Sequence, residues 1–488
     1  MGTARLIIRI KVVMFLMLCS YLINFMSWAT TYYVDATNGN DDDDGQNPST
    51  AWQTIKKINE TGFQPGDQVL FKRGEIWREQ LTIKSSGTPG NPIFFGCYGE
   101  DNKPIIEGSD INGIIQTEHC IYSDDQADYI IIDGFRLESC KDAAIFSSEN
   151  DGWIIRNCII ENSGKRGIWG RGNPNGDGSA KDWIVEDNTI GVINCDNSGS
   201  NMKAAILLHG MYAPIIRRNK IASENTRGII LNSGDGVNSG AESTLAEIYE
   251  NDITNSLSGI IACWTTHCKI YRNHIHNCRG LGIATPYGSH NPEIYYNVIN
   301  DLSISPDGRL FNGIDINCDS QNGKVYNNIV RKVAYCSFTI ETDVAPCNGW
   351  EIRNNIFDAR ENSPGDVPIQ VYNDISDITI SNNNYICNKT ESYFRDKVGR
   401  WKGEYLALQE WNSRTVDSGS ISSDPLWVDP ENSDLRLSDD SPCIDAGMNV
   451  GLSRDFDGNP VFHGQGVDIG AFEYHTIYPP KNVRIIKL

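Results

Sequence analysis

Residues 183–190 read WIVEDNTI, and the order apolar-x-apolar-x-x-Asn-x-apolar returns throughout the middle of the chain. It recurs as WIIRNCII (153–160), PIIRRNKI (214–221), AEIYENDI (246–253), CKIYRNHI (268–275), PEIYYNVI (292–299), GKVYNNIV (323–330), WEIRNNIF (350–357) and DITISNNNYI (377–386). The aligned asparagines are Asn157, Asn188, Asn219, Asn251, Asn273, Asn297, Asn328, Asn355 and Asn383, with 22 to 32 residues between neighbours. Between successive copies lies another apolar strand led by Gly or a small residue, such as GIIL (228–231), GIIA (259–262) and GID (313–315). Two or three short strands per repeat of this length describe one coil of a parallel β-helix, an all-β solenoid in which no coil is stable alone. Aliphatics stack inside, and the Asn is expected at an inward turn, bonding the next coil's backbone. A leucine-rich repeat would need helices and more Leu. A propeller would need four strands in every ~40–45 residues.

The ends depart from the repeat. In residues 50–74, Trp52, Ile55 and Ile58 mark one face of a short helix followed by a strand, the expected N-terminal cap. Residues 391–411 read as helix or loop packed on the last coils, and 441–475 as a compact closing block. The expected divisions are a signal peptide (1–29), cap and first coils (30–110), repeats (111–386), a C-terminal cap region (387–475) and a tail (476–488). Arg5, Arg9 and Lys11 precede the apolar run 12–26, and SWA (27–29) offers a cut after Ala29. The expected location is therefore secreted or extracellular, with no transmembrane span after cleavage, and the expected state is a monomer. A net charge of −21 argues against nucleic acid as a partner, since phosphates need a basic footprint. Of the 14 cysteines, thirteen follow the leader without zinc-site spacing; some are expected to pair in an oxidising compartment and others to fill small core positions.

The opening YYVDATNGNDDDDGQNPSTAWQTI (32–55) with PGDQVLFKRG (65–74), the Asn-centred coils and the ending SPCIDAG…DFDGNP…DIGAFEY resemble bacterial secreted right-handed parallel β-helix proteins. That carbohydrate-active superfamily holds glycoside hydrolases and polysaccharide lyases, so the resemblance implies a polysaccharide or oligosaccharide substrate. It covers nearly the whole chain beyond the leader and is specific for fold rather than reaction.

Two strands carry the candidate chemistry, NGIDINCDS (312–320) and FTIETD (338–343). Setting the inward aliphatics in line places Ile314 under Ile340 and Ile369. Asp315 then lies beside Glu341 and Gln370 on the outer face, and Asn317 beside Asp343 and Tyr372. Backwards, the second outer column reads Arg171, His209, Asn232, Cys263 and Pro286, with no lysine; Trp264, His267, Tyr287 and His290 follow in the loops. Stacked strands lie about 4.8 Å apart, near the roughly 5–5.5 Å of a retaining glycosidase pair. Two acids on adjacent coils are also similar to the arrangement of glycoside hydrolase family 120 xylosidases. This resemblance implies Asp315 as nucleophile and Glu341 as acid/base, with no cofactor. Arg171, His209, Asn232, Trp264, His267, Tyr287, His290, Asn317, Asp343 and Tyr372 are the candidate sugar contacts. A calcium site from Asp315, Asp319, Glu341 and Asp343 is the alternative and would suit a uronate lyase. A non-catalytic glycan binder is the third reading.

Overall fold

The structure, a computed structural model, describes residues 29–475 apart from 125–126, 173–179, 192, 194–202, 233–242, 306–307, 342–346, 362–366, 373–376, 389–393, 398–402, 407–409, 412–416 and 463. The leader (1–28) and tail (476–488) expectations lie outside these residues. Among the described residues, three long sheets of 13, 12 and 13 strands wind side by side. Each coil contributes one strand to sheet A, then sheet B, then sheet C, for example Ile130–Asp133, Arg136–Glu138 and Ala143–Ser148. Every pairing within these sheets is parallel except the last of sheet C.

Period-2 alternation aims every second side chain inward, and parallel registration stacks like on like. Sheet A stacks Ile132, Ile155, Val185, Ile216, Ile248, Ile270, Ile294 and Val325 in one fully buried column. At Gly259, which leads a sheet C strand, a Cβ would stand 2.4 Å from the Gly282 carbonyl oxygen and 2.7 Å from Ile275. The glycine leading such a strand, as at Gly228, Gly259 and Gly282, is thus the point where coils approach too closely for a side chain.

The asparagines form a buried ladder at the turn from sheet A to sheet B. Asn251 Oδ1 accepts from Asn219 N and Nδ2 at 3.1 and 3.0 Å, while its own Nδ2 donates to Ile216 O and Asn273 Oδ1. Asn188, Asn219, Asn273, Asn297, Asn328 and Asn355 repeat the pattern. Asn157 is the exception: it is exposed, and Cys158 N donates to Asn188 in its place. WIIRNCII reaches its Asn one residue early, so Cys158 holds the ladder position. The residue just before the ladder is left-handed in every coil, from Asn157 (φ 53) through Arg218 (53) and Tyr296 (52) to Asn382 (53). Asn tolerates that conformation best, which accounts for the Asn-Asn pairs of the later coils. Asn273→Ala would strand the Asn251 amides and the Ile248 carbonyl in a dry interior. A loss of roughly 3–5 kcal/mol is expected by denaturant unfolding. Asn157→Ala, which gives up an exposed bond to Asp133 at a left-handed position, should cost only about 1–2 kcal/mol, and equal losses in both would refute the ladder's role.

The ends are rearranged relative to expectation. The first helix is only Ile55–Asn59; Ile55 and Ile58 are buried in the core, and Trp52 precedes the helix and stacks on Tyr32. Within 391–411, strands Phe394–Lys397 and Gly403–Leu406 form an antiparallel pair ending sheet C, so a hairpin replaces the expected helix or loop. The C-terminal segment packs Trp427, Leu435, Leu437, Ile469 and Phe472 against Val298, Ile329 and Ile356. It therefore covers the outer face of sheet B. The twelve described cysteines form no disulfide with one another and nine of them are buried, so the expected pairing is absent among them while the expected packing role is present.

Candidate functional site

The outer face of sheet C carries two rows of side chains. Parallel registration orders the first as Trp169, Leu207, Ile230, Ile261, Ala284, Asp315, Thr339 and Gln370. It begins apolar, with Ala204, Leu207 and Ile230 in a buried cluster against Trp169 and Ile261, and turns polar at Asp315. The second row, two residues further along each strand, contains Arg171, His209 and Asn232, then Asn317 with Glu341.

The pairing corrects the expected register. Ile314 is partnered by Phe338 and then Ile369, while Ile340 is partnered by Ile316 and Val371. Asp315 therefore lies directly beside Thr339, with Gln370 next, and Glu341 lies beside Asn317. The sheet C strand Cys336–Glu341 begins two residues earlier than the aligned isoleucines imply, and Phe338 fills the slot below Ile314. A slip of two leaves every inward residue inward, so the faces survive while the neighbours change. Asp315 and Glu341 become diagonal partners, roughly 8 Å apart at Cα from ~4.8 Å across and two residues along.

Asp315 sits on the outward side yet is only 8% exposed, and its Oδ1 accepts from Asn317 Nδ2 at 3.3 Å. Thr339 and Gln370 are fully buried, and among the described residues neither Thr339 Oγ1 nor either amide atom of Gln370 has a hydrogen-bond partner. Leaving such groups unpaired costs about 1–3 kcal/mol each. Beside it, Tyr287 stacks on Trp264 with centroids 5.1 Å apart and planes at 20°. Both have left-handed backbones, Trp264 N donates to Tyr287 O, and Tyr287 is 49% exposed. Burial first, and then the charges of Cys318, Cys263 and Asp315, push the Tyr287 hydroxyl up.

Other expected contacts fall elsewhere. His267 and His290 occupy the turn strip between sheets C and A, where His267 N donates to His290 O and His290 bridges Thr266 and Gln321. Arg171 is exposed, while His209 and Asn232 are buried. These three lie three to five strands before Asn317, roughly 14–24 Å away along the same face. Asp319 holds a left-handed turn and accepts from Gln321. Asp343 lies outside the described residues, as do the side chains of Glu341 and Tyr372. Among the described residues, the one convergence of three metal-ligating groups is Asp252, His274 and His276 on sheet B, away from the expected calcium ligands.

The sheet C face also has more cationic residues than the expected column. Arg166 and Arg227 are in register through Ala204, immediately after the buried Lys203. Arg166 pairs with Asp142 at 2.5 Å and lies 4.0 Å over the Trp169 ring, and burial lowers the Arg227 pKa. Lys203 stands just before AAILL (204–208), outside the outer column that alternation defines, so the pattern gave no signal for it. Thr339 was legible, alternating between Phe338 and Ile340.

Comparison with known proteins agrees with this winding. The profile of the family described as "Right handed beta helix region" matches residues 204–385. The chain is a right-handed parallel β-helix protein. Over 91% of its length the fold superposes on XylC, solved in complex with xylose, covering 98% of that chain with a TM-score of 0.58 at 13% identity. A stretch of 93 residues is 33% identical to lacto-N-biosidase of Bifidobacterium longum subsp. longum, spanning 18% of this chain and 6% of that enzyme's length. Uncharacterized protein YwoF of Bacillus subtilis is 24% identical over 459 residues, covering 84% of this chain and 92% of the relative.

Proposed function

We propose that this β-helix protein is a secreted glycoside hydrolase, with Asp315 as the anionic carboxylate at the anomeric carbon and Glu341 as the proton donor. The carrying observation is Asp315 on the outer face of sheet C, near enough to the half-exposed Tyr287, stacked on Trp264, for its charge to act on the Tyr287 hydroxyl. Tyr287 on Trp264 supplies an apolar platform for a ring face. The similarity to a lacto-N-biosidase and to XylC in complex with xylose supports a glycan as the ligand. Arg171, His209 and Asn232 extend the groove to outlying sugar units. A retaining reaction requires the Glu341 carboxyl to lean back along its strand until the pair closes to roughly 5–5.5 Å. An inverted anomer in the first product, read by proton NMR, would instead put a water between the two acids.

A uronate lyase is the second reading, favoured by Arg227, in register with Ala204 on sheet C, and by Lys203 immediately before that strand. There the uncharged form of such a side chain would take the α-proton beside a neutralised carboxylate. A glycan screen that follows reducing ends and ultraviolet absorbance together separates the readings. Hydrolysis is expected, raising reducing ends alone and unaffected by chelator. A rise in both signals that disappears with chelator would replace the hydrolase by a calcium-dependent lyase. Binding without either signal would leave a non-catalytic glycan binder.

A further inference from the structure

On the outer face of sheet B, far from the carboxylate pair in chain connectivity, His274 and His276 stand two residues apart on strand His274–His276 and project to the same side. Asp252, on the preceding coil, is the registered partner of His274. Asp252 Oδ1 lies 3.0 Å from His276 Nε2 and 3.5 Å from His274 Nδ1, and one donor atom from each residue falls within 4.8 Å of the others. Ligands held at about 2.0–2.1 Å around a tetrahedral ion lie roughly 3.3 Å from one another. All three side chains reach solvent, with exposures of 32% and 22% for the two histidines and 49% for the acid.

The hydrogen bonds around His274 call for a cation. Asn300 Nδ2 donates to Asp301 Oδ2 at 2.6 Å, which fixes the amide so that Oδ1 faces His274 Nε2 at 3.1 Å. Only an N–H at Nε2 satisfies that oxygen, so the lone pair of a neutral His274 is on Nδ1. That lone pair then faces the Asp252 carboxylate, acceptor against acceptor. A positive charge between them removes the conflict, and a metal-bound imidazole with its far N–H on an amide oxygen is the usual supporting arrangement. His276 Nδ1 meets the Asn277 amide at 2.9 Å; turning that amide over presents its oxygen to Nδ1–H and frees Nε2 for a metal. A cavity of about 240 Å³, lined in part by His274, Val298, Arg436, Phe456 and Phe472, leads to His274 where the C-terminal segment meets sheet B.

We propose that Asp252, His274 and His276 bind a divalent transition-metal ion of zinc's class, with water in the remaining position. Two nitrogens and one carboxylate suit such an ion better than calcium, which takes oxygen ligands. The site clasps two neighbouring coils and is independent of the sugar-cleaving reading.

The test uses the full chain, stripped with chelator and titrated near neutral pH with zinc by calorimetry and with cobalt(II) by absorbance. One zinc per chain is expected, with a cobalt d–d spectrum free of the thiolate charge-transfer band that cysteine binding would add. Asp252→Asn and His276→Gln should each abolish the binding while circular dichroism and metal-free melting stay unchanged. Asn300→Ala, which touches no metal, should weaken binding roughly 10- to 100-fold. Absence of saturable binding, binding untouched by these variants, or a thiolate band would each overturn the site. An imidazolium signature at His274 by nitrogen-15 NMR in a chain that binds no zinc would identify the cation as a proton.

Discussion

Asp315→Asn is expected to abolish turnover on every glycoside, by on the order of 10⁴-fold or more, because it removes the anion at the anomeric carbon. The substitution keeps shape and the Asn317 contact, so fold and sugar affinity should persist. Glu341→Gln should behave differently. Substrates with poor leaving groups should lose about 10²–10⁴-fold, while activated aryl glycosides, which need no protonation, should be largely spared. Activity retained by both carboxylate variants would remove this face of sheet C from consideration.

Glu473→Gln should make the protein more stable than wild type above neutral pH. Glu473 is 2% exposed, and burial, followed by the nearby Asp468 charge, pushes its carboxyl from 4.5 up to about 8. Burial likewise raises Asp468 to about 6. An acid whose pKa is higher folded than unfolded favours folding while protonated. Its contribution is complete below the unfolded value, near 4.3, and declines as pH rises to the folded value. Wild-type stability should therefore fall between about pH 4.5 and pH 8 relative to the variant, a difference of a few kcal/mol at about 1.4 kcal/mol per unit. Melting curves of both proteins across that range check it. A variant that is the less stable of the two at pH 8 would mean that the Glu473 charge has a partner holding it.

The solenoid itself was legible from the sequence. Its coil length, the inward aliphatics and the Asn ladder follow from a period-2 alternation repeated every 22 to 32 residues, and each coil restates the same local chemistry. The outward placement of Asp315, Asn317, Arg171, His209 and Asn232 was equally readable, because alternation alone decides which face a residue takes. What alternation leaves open is the neighbour. Faces are defined only up to a shift of two residues, so Phe338 and Ile340 both qualified as the residue under Ile314, and coil packing chose Phe338. That choice separated Asp315 from Glu341 and brought Thr339 and Gln370 to its side. The same reasoning covers Asp252 and His274. Twenty-two residues apart in sequence, they meet because a bare coil returns the chain to the same place on the next level. Docking of the C-terminal segment on sheet B likewise depended on an outward apolar row, Val298, Ile329 and Ile356, whose cover no local pattern specifies.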